Sequence, residues 1–154
     1  MLKRIVFVVI TGILLTFSLN AATVSFHVVE AGISEEADKK MSELWETAFM
    51  DVFFDAGYII SNAPVMRLEK SPSNILQIVD FKEASLCGID YMLIVLLDYK
   101  ASLPSPEEVS FYIYKVTKRE KVLERKIRQK QVPLKDDYNN MKSIARGFVP
   151  YIGE

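Results

Sequence analysis

Tyr91-Met92-Leu93-Ile94-Val95-Leu96-Leu97-Asp98 holds seven uncharged residues between Asp90 and Asp98. A run this short and this apolar reads as a central strand covered on both faces. On its amino-terminal side, Asp80-Phe81-Lys82-Glu83 has the form of a capping box and opens a short helix that Gly88 ends. Residues 75–79 either extend that helix backwards or lead into it. On its carboxyl-terminal side, the Pro-containing loop Leu103 to Glu107 leads to Val109–Val116, a polar turn over Thr117–Lys121, and a second alternating run over Val122–Arg128. That pair reads as a hairpin.

Further out, Thr23 to Glu30 is β-rich and alternating, with Val24, Phe26 and Val28 on one face and Ser25, His27 and Val29 on the other. Ser34 is placed to cap a helix whose apolar positions Met41, Leu44, Trp45, Ala48, Val52 and Ala56 recur at three- and four-residue steps. Phe49, Phe53 and Phe54 widen the stripe, and Gly57 stops the helix. Tyr58 to Ser61 starts a strand that Pro64 interrupts and Val65 to Leu68 resumes. A last helix carries Tyr138, Met141, Ile144, Ala145 and Phe148, starts near Asp136 and is broken by Pro150. The order β-α-β-α-β, then β-hairpin, then α predicts an α/β (α+β) single domain with a mixed sheet of about five strands.

The first 22 residues stand apart from this pattern. Lys3-Arg4 precedes an apolar run from Ile5 to Leu19, and the first acid of the chain is Glu30. A basic start, a run of ~7–15 apolar residues and small residues after it are the marks of a secretory signal peptide. The expected organisation is a signal over 1–22 and one globular domain over 23–154, in the periplasm or outside the cell. An uncleaved amino-terminal anchor is the competing expectation, and only then would the membrane be a partner. Cys87 is the single cysteine, which excludes an internal disulfide framework and any multi-cysteine zinc site. It reads as a small buried hydrophobe.

The mature 132 residues would carry a net charge of −3, which excludes a strongly basic nucleic-acid binder. The charge is unevenly spread. Residues 30–58 sum to −6, whereas residues 115–130 sum to +6. The bases Lys115, Lys118, Arg119, Lys121, Arg125, Lys126, Arg128 and Lys130 sit on the hairpin beside Tyr112 and Tyr114. Such charges protect an edge strand from aggregation or form a docking stripe for an anionic envelope partner. Tyr112, Tyr114, Lys118, Arg119, Lys121, Arg125 and Arg128 are therefore the candidate contact residues.

No phosphate-cradling glycine loop, zinc-protease helix, nucleophile elbow or Cys-x-x-Cys is present, and His27 is the sole histidine. No cofactor is implied. The alternative chemistry uses Glu30 and Asp98. Were their strands parallel neighbours, both acids would lie at the carboxyl edge where open α/β sheets bind ligands, as a divalent-cation site or an acid–base pair, with His27 as a third group.

The β-rich Thr23–Glu30 run, the helix ending Asp55-Ala56-Gly57-Tyr58, the Gly88-Ile89-Asp90-Tyr91 strand start and the Tyr112–Leu123 hairpin together resemble a class of envelope domains. These are the amino-terminal domain of TolB-type proteins and the related CsgG-like and FlgT-like modules. The resemblance implies a non-enzymatic protein-interaction role in envelope assembly, and it transfers no functional residue.

Overall fold

Tyr91 to Leu97 are all buried, as a strand covered on both faces requires. The computed structural model describes residues 21–32, 40–99, 105–128 and 137–153. Its elements are β1 (Thr23–Ala31), α1 (Lys40–Asp55), β2 (Ile59–Asn62), β3 (Met66–Leu68), a 3-10 turn (Ile75–Gln77), α2 (Phe81–Leu86), β4 (Tyr91–Asp98), β5 (Glu108–Lys115), β6 (Glu120–Arg128), α3 (Tyr138–Arg146) and a closing 3-10 turn (Val149–Tyr151). The apolar run of residues 5–19, the Ser34 cap, Leu103, Lys130 and Asp136 lie outside the described residues.

The sheet order is β2-β1-β4-β5-β6, with β3 also on β1. Thr23–Phe26 pair with Ile59–Asn62 and Val29–Ala31 with Met66–Leu68, both parallel, so β2 and β3 form one broken edge strand. Pro64 sits in the break, where its missing N–H costs no ladder bond. β1 and β4 are parallel, while β4-β5-β6 run antiparallel, which makes the sheet mixed. The α1 crossover moves from β1 to the edge, and the α2 crossover returns past β1 to β4. Two right-handed crossovers in opposite directions must lie on opposite faces, and α1 and α2 do.

The two faces are covered unequally. On one, α1 and α3 pack over Val24, Phe26, Leu93, Val95, Phe111 and Ile113. Phe49 is the hub of that layer, with ring centroids 5.0 Å from Phe26, 5.7 Å from Phe148, 5.9 Å from Phe111, 6.0 Å from Phe53 and 6.1 Å from Trp45. Among the described residues, the opposite face carries the six-residue α2 and the 3-10 turn, packed over Val29, Met92, Ile94 and Tyr114. Asp80 caps α2 as the sequence implies, its Oδ1 accepting from the N–H groups of Lys82 and Glu83. Gly32 must be glycine: its φ is +76°, and a Cβ there would stand 2.1 Å from the Tyr99 carbonyl oxygen.

Three expectations are corrected. Phe54 is 73% exposed, because it follows Phe53 by one helical step and so turns off the buried stripe. Cys87 is exposed rather than buried. It lies one residue past α2, whose single buried residue is Ala84, so the helix is too short to bring a second position down onto the sheet. α3 ends at Arg146 with Gly147 as its cap, before Pro150, which instead enters the closing 3-10 turn.

α1 and α3 are also clamped at the surface, where Asp51 accepts hydrogen bonds from the Tyr138 hydroxyl at 2.6 Å and Lys142 Nζ at 3.3 Å. These two bonds hold the Asp51 carboxyl below its ordinary pKa. Its contribution to stability is therefore present above the unfolded pKa of ~3.9 and lost as pH falls through the lower folded value. Asp51→Asn should flatten the acid limb of the stability–pH curve and cost at most ~1 kcal/mol at neutral pH, since the pair is solvated. Phe49→Ala should cost ~3–5 kcal/mol in chemical denaturation. Phe54→Ala should stay within ~0.5 kcal/mol of the parent.

Candidate functional site

Because α2 is short, it leaves a cleft of about 610 Å³ over the thinly covered face. Ser25 and His27 of β1 and Met92 and Ile94 of β4 form its floor, as alternation along each strand dictates. One wall is the β2–β3 break from Ser61 to Met66, and the other runs from Ile78 through Asp80, Glu83 and Ala84 to Cys87 and Ile89. Ser25 Oγ and His27 Nε2 are 2.9 Å apart and hydrogen-bonded. Ser61 stands directly across from Ser25 in the β1–β2 register. Burial pushes the His27 imidazole below its ordinary pKa, so the ring is neutral near pH 7. Among the described residues no carboxylate hydrogen-bonds the ring, so the orienting acid of a nucleophilic triad is not among them.

Glu30 and Asp98 do reach the same edge, since β1 and β4 are parallel neighbours. They do not converge. Glu30 is level with Leu97 and Asp98 with Ala31, so their side chains leave opposite faces of the sheet. Glu30 leaves the sheet on the face that α1 covers, 1% exposed, and accepts a hydrogen bond from Arg67 Nε at 3.0 Å, while its Oε1 has no partner among the described residues. Burial, and then the Glu30 charge, push the Tyr99 hydroxyl up. No cluster of three or more His, Cys, Asp or Glu side chains able to hold a metal exists among the described residues.

Residues 23–136 match a protein family described as uncharacterised protein. The chain belongs to that family. No curated protein matches it. Among solved structures, TolB from Acinetobacter baumannii is 14% identical with a TM-score of 0.45, over 86% of this chain and 27% of that one. This chain thus spans about a quarter of TolB's length. Two dodecamer structures of PelC from Paraburkholderia phytofirmans are similar as well. The one in space group P6 is 17% identical over 87% of this chain and 89% of that one, with a TM-score of 0.40. The one in space group C2 is 12% identical over 84% of each chain, with a TM-score of 0.41.

In this family member the hairpin bases do not form one stripe. Arg125 faces α3 and lies over the Phe148 ring, 5.8 Å from its centroid. Lys121 bonds Glu124 at 2.5 Å and Lys126 bonds Glu108 at 2.8 Å, and each carboxylate raises the pKa of its lysine. Lys118, Arg119 and Arg128 are exposed. Arg128 lies across from Glu108 in the β5–β6 register, and its charge helps hold that carboxyl below its ordinary pKa. Tyr114 is not a surface anchor: it is 4% exposed and meets Phe81 edge to face at 5.6 Å. Tyr112 is half-buried on the same face.

Sequence reasoning set His27 beside Glu30 and Asp98 and missed the cleft. The available signal was the alternation Ser25-x-His27 on the strand face opposite the phenylalanine-bearing helix. Two stability tests follow. Arg67→Ala should cost ~1–3 kcal/mol by leaving Glu30 buried without its donor, and Glu30→Gln should cost less. Below pH ~6.5 the unfolded state gains a proton on His27 that the folded state resists, so stability falls as pH drops toward the lowered folded pKa. His27→Gln should abolish that slope in denaturation curves recorded between pH 7 and 5.

Proposed function

We propose that this protein is an exported, non-catalytic interaction module of the cell envelope that docks an anionic protein surface through the β5–β6 hairpin. The observation that carries this reading is the position of β6. It is nine residues long, forms the outer edge of the sheet, and no described strand pairs with its far side. An edge of that length supplies backbone donors and acceptors to an added strand, and its flanking charges select the partner. Lys118 and Arg119 at the turn are the bases left for that partner, and Arg128 at the far end, which shares Glu108 with Lys126, adds to them. Export rests on Lys3-Arg4 and the apolar run that follows. Among the described residues no helix is long and apolar enough to cross a membrane.

The test is charge reversal. The Lys118→Glu, Arg119→Glu, Arg128→Glu triple variant should slow capture of the envelope partner in cross-linking from envelope extracts. Its denaturation midpoint should barely move, because exposed charges add little to folding. Wild-type capture should weaken as salt rises, since exposed charges are screened within ~8–10 Å. Capture indifferent to both salt and reversal would reduce the bases to edge protection. Mass spectrometry of the purified amino terminus distinguishes a free module starting near Thr23 from one retained on the membrane by an intact Met1.

A further inference from the structure

The cleft over β1 and β4 lies toward the opposite edge of the sheet from the hairpin, so what it does is separable from docking. Its volume of about 610 Å³ falls within the ~300–1,000 Å³ of small-molecule sites. Val29, Val65, Met66, Ile78, Met92 and Ile94 give it apolar walls and floor. The hydroxyls of Ser25 and Ser61 and the His27 ring supply a few hydrogen-bonding groups among them. That combination, a mostly apolar concavity with a small polar set, is what an amphiphile requires.

The ionised groups decide which amphiphile. The lining includes Asp80 and Glu83 and, among the described residues, contains no Lys or Arg. Asp80 commits Oδ1 to the α2 cap and keeps its second oxygen. Glu83 lies in the first turn of α2 and is exposed. Among the described lining residues, an anionic head would meet only carboxylates there, whereas an ammonium would meet two opposite charges. We propose that this cleft binds a small amphiphile made of a slender apolar body and a protonated amine, with the body between β1–β4 and the α2 segment and the amine toward Asp80 and Glu83.

The chain carries its own reporters, since His27 is the sole histidine and Cys87 the sole cysteine, and both line the cleft. The experiment titrates the tag-free protein with decylamine, decanol and decanoate, each below its micelle concentration. The His27 ring proton resonances and the rate of Cys87 alkylation by iodoacetamide are read. The three probes share a tail, so the tail's contribution is common and the differences belong to the head. Decylamine should shift the His27 resonances saturably, slow Cys87 alkylation and bind roughly fivefold tighter than decanol, as solvated ion pairs allow. Decanoate should bind more weakly than decanol.

Glu83→Gln should narrow the gap between amine and alcohol without moving the alcohol. Ser61→Trp, at an exposed position of the edge strand, should block all three while leaving the denaturation midpoint near that of the parent. No saturable shift with any probe, decanoate binding as tightly as decylamine, or binding untouched by Ser61→Trp would each overturn the proposal. So would a neutral apolar peptide that displaces decylamine at lower concentration, which would give the cleft to a chain segment instead. The hairpin variants do not touch the cleft, so failure here leaves the docking reading standing, and the reverse holds.

Discussion

Phe49 holds the structure together. Its ring meets five other aromatic rings, contributed by β1, β5, the segment after α3, and α1 itself. Dispersion between such rings is small per atom pair but accumulates across a fully buried side chain. Because the joined elements are far apart in sequence, this one contact layer ties the first strand, the first helix, the hairpin and the carboxyl-terminal helix into a single core. The Asp51–Tyr138–Lys142 hydrogen bonds and the Tyr58 hydroxyl on the Ile152 carbonyl, at 2.8 Å, then pin the outer surface of the same layer.

The strength of that face makes the weakness of the other affordable. α2 is six residues long and buries only Ala84, so the sheet beneath it is covered in part by the 3-10 turn and the stretch around Ile78. What remains is concave, and the alternation of β1 puts Ser25 and His27 into it. A helix of the length of α1 on this side would have buried His27 and Cys87 and left no cleft. The chemistry available to the protein thus follows from an inequality between two helix lengths.

Charge behaves in a similar way. Six net positive charges in sixteen residues read as a continuous stripe when written along the chain. Pleating divides them between two faces, Glu108 and Glu124 neutralise two lysines, and the Phe148 ring takes Arg125. The remaining bases cluster at the hairpin turn and at the far end of β6. The same alternation separates Glu30 from Asp98: two carboxylates at one edge of parallel neighbours, one residue out of step, point away from each other.

The elements themselves were legible in sequence because their causes are local. The uncharged run of β4 between two aspartates, the Asp80 capping box, the Pro64 break and the three- and four-step apolar spacing of α1 each act within a few residues. Helix and strand order then fixed the mixed sheet, since right-handed crossovers leave few arrangements. The exposure of Cys87 and Phe54, the burial of Tyr114, the divergence of Glu30 and Asp98 and the pairing of the hairpin lysines were not legible. Each depends on register or on how far a neighbouring element reaches across the sheet, and those are settled only when distant segments pack. Sequence alone determined the main helices and strands and their order, while the 3-10 turn over Ile75–Gln77 stayed open. Tertiary structure decided which side chains meet, because a shift of one residue in a strand exchanges its two faces.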